Sequence, residues 1–437
     1  MQKLFKYGIA ALLLAIPLYL KFPLFNVPKT YVAVRLEDFL LLILFVAWFF
    51  YFLQHDKKEF LKSKLTIALF LFVVVGFLSV VNGIFLTGTV VPHLGFLHFV
   101  RRLEYIFPLL LGIIVLRKMA TPRFFLETLF IAGFVVFLYG LGQIYAGFPV
   151  ISTQNEEYAK GLALQLIPGV RIHSTFAGHY DLAAFLVLLF PLAFAYLFTL
   201  KRFWQQILFL GIFILPPFWL FLQTESRISF VSYLIGVTIT LWVIKRRIFI
   251  FPFLIVSLLG MFFFSDLGSR YTNTIQFYKE RVSEEIQFPK TVYANNDIVG
   301  KVLGVEDRST SIRLNVEWPR ALRAFFKNPI LGTGYSSITL ATDNDYLRML
   351  GETGIAGALA FLLVLLRVVG GFGKFLRSAE KFDMRTAFVG GFAGSLAGML
   401  VNATFIDVFE ASKVAIIFWT LAGIAVGIVA HSREEVV

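Results

Sequence analysis

Residues 65–86 read LTIALFLFVVVGFLSVVNGIFL, an unbroken run of 22 positions without a charged side chain. A helix of about 20 apolar residues is long enough to cross the hydrocarbon core of a bilayer. Similar runs recur along the chain, which is 58% hydrophobic and 15% charged, whereas soluble proteins average roughly 25% charged residues. These values exclude a soluble globular enzyme and indicate an integral membrane protein.

The apolar runs predict an all-α membrane protein with about twelve transmembrane helices. The first run has a basic start but no small-residue cleavage site, and further runs follow it, so we expect a retained helix rather than a signal peptide. The predicted spans are residues 7–25, 34–53, 65–86, 98–116, 122–147, 181–199, 203–223, 226–244, 248–265, 353–369, 386–406 and 411–430.

The distribution of basic residues predicts the orientation of these spans. Half of the 40 Lys and Arg residues fall in the segments that face inward if the N-terminus is cytoplasmic. Short basic loops are retained in the cytoplasm, and long loops are largely exempt from this rule. We therefore expect both termini in the cytoplasm, and the net charge of +13 reflects membrane orientation rather than nucleic-acid binding.

Two outside segments are too long to be simple connectors. The first covers residues 148–180, and the second is a largely polar segment of about 80 residues between predicted helices 9 and 10. The predicted organisation is a first membrane part at 1–265, a helical loop subdomain at 266–345, a second membrane part at 346–430 and a tail at 431–437.

Cysteine chemistry is excluded, because the chain has no Cys and therefore no disulfide, thiolate ligand or cysteine nucleophile. The six His residues are scattered and do not show the spacing of metal ligands.

The richest pattern lies at the end of the long loop, where PILGTGY at 329–335 precedes Asp343-Asn344-Asp345 and ETGIAG at 352–357. The glycines allow tight turns and close backbone approach. Carboxylates at a helix start are stabilised by its free amides and its dipole, so Asp343 is either a functional carboxylate or only an N-cap. Upstream, residues 309–326 show helical spacing that stops at Asn328-Pro329.

These residues resemble the signature of the O-antigen ligase and polymerase superfamily, which is His, then Asn, Ser or Gln, then nine residues, then Gly-x-x-Gly. Asn344, Gly354 and Gly357 fit, but Asp343 stands at the His position. The order of the other motifs is also similar to that family; they are RIHSTFAG at 171–178, Asp181-Leu-Ala183, Ser226-Arg227, and Arg313, Trp318, Ala321-Leu322, Phe325, Pro329, Gly332 and Gly334.

The resemblance implies a GT-C-like, metal-independent membrane glycosyltransferase in the bacterial inner (cytoplasmic) membrane. Such an enzyme moves a glycan from undecaprenyl diphosphate to an acceptor hydroxyl on the periplasmic face. Ligases of the family use lipid A core as the acceptor, whereas polymerases extend a growing lipid-linked polysaccharide. The sequence does not separate these two activities, and membrane lipid is the remaining expected partner.

Such a reaction needs cations for the diphosphate leaving group, and the planar guanidinium of Arg suits phosphate oxygens. Arg171 and Arg227 are the candidates, since the predicted topology places both at the outer membrane boundary. The alternative is that they are snorkelling anchors at the interface. Arg313 and Arg320 lie seven residues apart on one helical face and are further candidate contacts to phosphate or glycan.

The acceptor hydroxyl must also lose a proton, and the resemblance assigns this general base to the signature position, here Asp343. An ordinary Asp has a pKa near 4, so it is a weaker base than imidazole unless burial raises that pKa. His179, with His173 nearby, is an alternative source of imidazole, and attack by Asp343 on the sugar is a second alternative route. Asn344 and Asp345 are additional candidate glycan contacts.

Three other interpretations stay open at this stage. Asp343 and Asp345 form a DxD pair, which holds a divalent cation in other glycosyltransferases. A twelve-helix flippase or transporter would place ionisable residues near the membrane midplane, whereas the polar residues here concentrate in the outer loops. A polytopic assembly protein of the rod-shaping and division type would also have a large outer loop.

Overall fold

The computed structural model describes residues 1–20, 22, 24–27, 33–54, 62–119, 121–151, 163–164, 171–268, 271–272, 312–338 and 341–434. Within these ranges the fold is helical apart from two short antiparallel ribbons, in which β1 (Phe25–Asn26) pairs with β2 (Ala33–Val34) and β3 (Val150–Ile151) with β4 (Ala163–Leu164). Much of the predicted subdomain at 266–345, and parts of the outer segment at 148–180, lie outside the described residues.

Fourteen α-helices are described, and a short 3-10 helix at Arg247–Phe249 precedes the ninth. They are α1 (Gln2–Leu18), α2 (Leu36–Gln54), α3 (Lys64–Phe85), α4 (Pro92–Leu116), α5 (Arg123–Tyr145), α6 (His179–Leu197), α7 (Phe203–Leu222), α8 (Arg227–Val243), α9 (Ile250–Phe264), α10 (Trp318–Lys327), α11 (Asp345–Val369), α12 (Phe372–Ser378), α13 (Met384–Asn402) and α14 (Ser412–Glu434). A π-helical turn at Leu210–Ile214 interrupts α7, and another at Arg313–Glu317 leads directly into α10.

Nine helical segments in the described part of the chain are long and apolar enough to cross a membrane. The prediction of a helical, multi-pass membrane protein is therefore confirmed. The remaining predicted spans correspond to α1, α4 and α8; of these, α8 is apolar but only 17 residues long, and α4 carries Arg101, Arg102 and Glu104. The count of twelve and the GT-C-like assignment stay predictions.

Small residues let neighbouring helices approach closely in the centre of the bundle. A Cβ added to Gly112 of α4 would lie 2.6 Å from the backbone of Gly423 of α14, and one on Gly236 of α8 would lie 2.9 Å from the carbonyl of Gly394 of α13. Helices in lipid gain little from the hydrophobic effect between them, so close van der Waals contact at small residues holds them together.

The glycine pattern at the end of the long loop forms a break in α11. Gly354 has φ +65° and ψ −169°, which interrupts the helix and exposes backbone groups. The turn at 329–334 supplies their partners: Ile355 N–H donates to the Pro329 carbonyl at 2.8 Å, and Gly334 N–H donates to the Glu352 carbonyl at 2.8 Å. The predicted close backbone approach is confirmed, and α11 begins at Asp345, eight residues before the predicted span.

The helix expected at residues 309–326 is described from Ile312 onward and ends at Lys327. Its apolar side chains do not form a buried stripe, because Ile312, Val316 and Leu322 are exposed, whereas Arg313 is buried. This helix packs on α11, next to the turn that carries Asp343.

One end of the bundle, at which α6, α8, α11 and α14 begin, collects most of the candidate residues; we call it the site end. Two long-range contacts join its elements. The buried Lys413 of α14 donates to the carbonyls of Tyr19, Pro17 and Thr175, and Ser229 of α8 donates to Asn402 of α13 at 3.0 Å.

Candidate functional site

Asp343 lies in the turn before α11 and has a left-handed backbone conformation, with φ +49°. Asp is among the non-glycine residues that tolerate this region. The N–H groups on either side of it, those of Thr342 and Asn344, both donate to the Asp407 carboxylate, at 2.9 and 3.0 Å. The loop between α13 and α14 thereby fixes the direction of the Asp343 side chain.

Arg313 binds Asp343 with two hydrogen bonds to one oxygen. Its Nε and Nη2 donate to Oδ2 of Asp343 at 3.0 and 2.7 Å. The guanidinium is nearly buried between the rings of Tyr180 and Phe405, whose centroids lie 5.5 and 5.9 Å away. Both of these hydrogen bonds go to Oδ2, and within the described part of the chain none reaches Oδ1 of Asp343.

Arg171 lies near this pair through the start of α6. Its Nη1 donates to Nε2 of His179 at 2.8 Å, and its Nε lies 3.5 Å from a carboxylate oxygen of Glu225. Because an arginine has no lone pair to offer, His179 accepts through Nε2 and is neutral in this contact. Tyr180, the residue after His179, contacts Arg313, so the α6 start connects Arg171 to the Asp343 pair.

Arg227 is the first residue of α8, at the same end of the bundle. Its carbonyl accepts a hydrogen bond from the Tyr271 hydroxyl at 2.6 Å. Ser229, two residues on, is bonded to Asn402 at the end of α13, and the loop that holds Asp407 follows α13 directly. The structure thus places Arg171, Arg227, Arg313 and Asp343 on neighbouring elements of the site end.

Asn344 and Asp345, predicted as glycan contacts, make structural bonds. Oδ1 of Asn344 caps α11 by accepting from Leu347 N–H at 2.9 Å, and its amide donates to the Thr404 carbonyl. Asp345 is buried and accepts from Phe409 N–H at 3.0 Å. The N-cap is therefore Asn344 rather than Asp343, and the Asp343 side chain is left for other chemistry.

The DxD hypothesis concerns Asp343 and Asp345, which make different contacts. Asp343 is paired with Arg313, whereas Asp345 is bonded to a backbone amide on the other side of the turn. Among the described residues, no group of three or more His, Asp or Glu side chains is arranged to hold a metal ion. A cation at this pair would therefore require different contacts for both carboxylates.

A network of ion pairs lies next to the turn that carries Asp343. Arg348 joins Asp407 at 3.2 Å and lies 3.6 Å from Glu352, while Arg102 contacts Glu410 and lies 3.8 Å from Glu352. A cavity of about 40 Å³ adjoins the network; it is lined by Phe72, Arg102, Tyr105, Ile106, Tyr335, Asp345, Met349, Phe361, Phe409, Glu410 and Trp419.

Burial changes the acid–base properties of the site. It raises the pKa of the Asp343 carboxyl above its ordinary value, although the adjacent Arg313 acts in the opposite direction. Burial, followed by the charge of Asp343, raises the pKa of Glu317 to about 7. Burial also lowers the pKa of His173, whose Nδ1 is buried without a hydrogen-bond partner in the described structure.

Several residues that shape the site were not predicted from the sequence, notably Asp407, Arg348 and Lys413. Lys413 is 1% exposed, lies over the ring of Phe176 and donates to the Thr175 carbonyl at 2.8 Å, which anchors the segment that carries Arg171. Charged residues close to the ends of apolar helices were the available signal, because such positions are costly in lipid and usually have a partner.

The fold and the site together define a polytopic helical membrane protein with arginines and a half-buried carboxylate gathered at one end of its bundle. Residues 212–362 match the family model described as O-Antigen ligase. The matched range includes Arg227, Arg313 and Asp343, whereas Arg171 lies outside it.

Over residues 212–362, the match agrees with the resemblance to the O-antigen ligase and polymerase superfamily that was drawn from the motifs. The members of this family are glycosyltransferase-like membrane enzymes of the ligase or polymerase type. No curated protein matches the chain.

Proposed function

We propose that this protein is a membrane glycosyltransferase that moves a glycan from undecaprenyl diphosphate to an acceptor hydroxyl, as an O-antigen ligase with lipid A core as acceptor. The observation that supports it most is the pairing of Asp343 with Arg313 at the site end, in a chain that matches the ligase family. The reaction occurs on the periplasmic face of the inner membrane, with both termini in the cytoplasm.

Asp343 acts as the general base in this proposal. Its Oδ1 takes the proton of the acceptor hydroxyl while the hydroxyl oxygen attacks the anomeric carbon of the donor sugar. Arg313 holds Oδ2 with two hydrogen bonds and so fixes the carboxylate in one orientation. Burial raises the pKa of Asp343, and a carboxylate with a higher pKa is a stronger base. Asp343 is therefore better suited to this role than a fully exposed Asp.

Arg171 and Arg227 stabilise the leaving group. As the bond from the sugar to the diphosphate breaks, negative charge collects on the phosphate oxygens, and fixed cations lower the energy of that state. Arg171 is about a quarter exposed, and its Nε lies 3.5 Å from Glu225, longer than a strong ion pair. A diphosphate would compete effectively for this guanidinium. Arg313 and Arg320 are proposed as further contacts on the glycan side.

Asp407 is proposed as a positioning residue, because it binds both amides that flank Asp343. Replacing Asp407 by Asn offers only one acceptor oxygen and turns an amide toward Arg348. We expect kcat to fall about 10- to 100-fold with little change in the donor KM, since even a small displacement of a catalytic base lowers the rate strongly. Full activity in the folded variant would remove Asp407 from this role.

Removal of divalent cations tests the remaining metal alternative. We expect transfer to survive thorough EDTA treatment, because Arg313 already neutralises Asp343 and the arginines serve the diphosphate. Activity before and after EDTA, with Mg²⁺ or Mn²⁺ added back, provides the measurement. Loss of transfer that either ion restores would support a cation at Asp343 and Asp345 instead.

Reconstitution tests the proposed function itself. The purified protein is placed in liposomes with an undecaprenyl-diphosphate glycan and, separately, lipid A core or more of the lipid-linked glycan as acceptor. A single addition to lipid A core supports the ligase, and a ladder of products on the lipid-linked acceptor indicates the polymerase. If neither acceptor gains sugar, the proposed reaction is wrong.

A further inference from the structure

Three polar atoms on one short segment beside Asp343 are buried without a partner. They are Oε2 of Glu317, Nε1 of Trp318 and Nη1 of Arg320, and none has a hydrogen bond within the described part of the protein. Buried polar groups are nearly always hydrogen-bonded, so each exception asks for an explanation. Three exceptions within four residues, where the π turn passes into α10, mark this segment as unusual.

The segment faces the proposed base. Arg313 and Glu317 are four residues apart on the helical turn, and Glu317 and Arg320 are three apart, so all three side chains share one face. Arg313 is bonded to Asp343. The ring of Trp318 packs against Phe405 at 5.6 Å between centroids, and Phe405 also contacts the Arg313 guanidinium.

These groups match what a sugar ring offers. A pyranose has a C–H face that packs on an aromatic plane and hydroxyls that both donate and accept hydrogen bonds. Trp318 provides an aromatic surface and one donor, Arg320 provides donors, and Glu317 provides acceptors. With a pKa raised to about 7 by burial and then by Asp343, Glu317 also exists partly as an acid that donates a hydrogen bond near neutral pH.

The position of this segment favours contact with the acceptor sugar rather than with the diphosphate of the donor. The lipid-linked diphosphate is tied to the bilayer, and its proposed cations, Arg171 and Arg227, lie at the starts of the membrane helices α6 and α8. The α10 segment is not among the apolar helices that could span the membrane; it packs on α11 beyond Arg313. The sugar whose hydroxyl is deprotonated by Asp343 must lie next to Asp343.

We propose that Glu317, Trp318 and Arg320 form a binding subsite for the acceptor sugar, whose hydroxyls supply the missing hydrogen-bond partners of their buried atoms. This inference rests on the proposed function, since it assigns the acceptor side of that same site. The diphosphate of the donor is assigned to Arg171 and Arg227 instead, so the two substrates respond to different substitutions.

Kinetics with both substrates test the subsite. Trp318→Phe keeps an aromatic ring against Phe405 and removes the N–H donor, while Glu317→Gln keeps the shape of the side chain. We expect each to raise the acceptor KM about tenfold and to leave the donor KM within twofold. Trp204→Phe, an exposed residue at the start of α7 and remote from the site end, is the matched control and should change neither value.

A binding measurement separates failure of the subsite from failure of the proposed reaction. The probe is core oligosaccharide released by mild acid from lipopolysaccharide of the same organism, added to the full chain in nanodiscs and followed by saturation-transfer NMR. We expect binding that weakens about tenfold in Trp318→Phe and is kept in Arg171→Gln, even if transfer itself is absent.

Several results would overturn the subsite. They are equal acceptor KM values in wild type, Trp318→Phe and Glu317→Gln, a rise in the donor KM instead, or no oligosaccharide binding by wild type. Thermal unfolding of each variant in detergent shows that it is folded, and Trp318→Tyr serves as a second conservative variant if Trp318→Phe unfolds.

Discussion

Replacement of Asp343 by Asn is expected to lower the rate of glycan transfer by about 10²- to 10⁴-fold, the range attributed to a general base. Asn has nearly the same shape as Asp but does not accept a proton at its amide. It also keeps an oxygen for Arg313, so the turn before α11 should remain folded. The measurement is the initial rate of transfer in proteoliposomes at saturating donor and acceptor.

Asp343→His and Glu380→Gln complete this test. Histidine is the residue of the family signature, and Arg313 favours its neutral, basic form, so we expect partial activity.

Transfer by wild type requires ionised Asp343, so the rate falls as the pH drops through the pKa of this carboxyl, which burial raises. In Asp343→His, the pH at which the rate falls should move toward the imidazole pKa near 6.5. Glu380→Gln, an exposed carboxylate remote from the site end, should have no effect. Wild-type rates in Asp343→Asn would remove this residue from the chemistry.

Replacement of Arg171 by Gln is expected to have the second largest effect, a loss of about 10²- to 10³-fold in kcat/KM for the lipid diphosphate donor. Gln still donates a hydrogen bond but carries no charge for the phosphate oxygens. The substitution also removes the positive charge that lies 3.5 Å from Glu225, so the carboxylate of Glu225 repels the leaving group more strongly. Kinetics at fixed acceptor and varied donor measure the effect.

Two comparisons show whether the charge or the fold is responsible. Arg171→Lys keeps the charge without the planar fork and should recover part of the activity. Arg202→Gln removes an exposed arginine between α6 and α7, remote from the site end, and should leave donor use unchanged. If Arg171→Gln matches wild type in donor affinity and rate, Arg171 is only an interfacial anchor.

The helices were largely predictable, because long apolar runs have few alternatives to a membrane helix. The first and last residues of the helices were less predictable. The predicted membrane span began at residue 353, since Asp345, Arg348 and Glu352 are polar. The helix begins at Asp345, where Asp345 and Glu352 are buried and the side chain of Arg348 is 12% exposed within a network of charges. Local hydropathy does not reveal partners that are distant in sequence.

The candidate site was also predicted only in part. Asp343, Arg171 and Arg227 were selected from motifs, and the structure places them at one end of the bundle. The bond from Arg313 to Asp343 spans 30 residues, and Asp407 reaches the turn from more than 60 residues away. Asp407 and Lys413 act through the tertiary fold alone, so no spacing in the sequence indicated them.

Release of the lipid carrier tests the central claim most directly. Purified protein in liposomes receives undecaprenyl diphosphate that carries a radiolabelled glycan, together with lipid A core, and both products are measured. We predict that labelled glycan appears on the acceptor in step with free undecaprenyl diphosphate, and that Asp343→Asn produces neither. Wild-type protein that forms no labelled acceptor, or an Asp343→Asn variant that forms as much as wild type, would contradict the account.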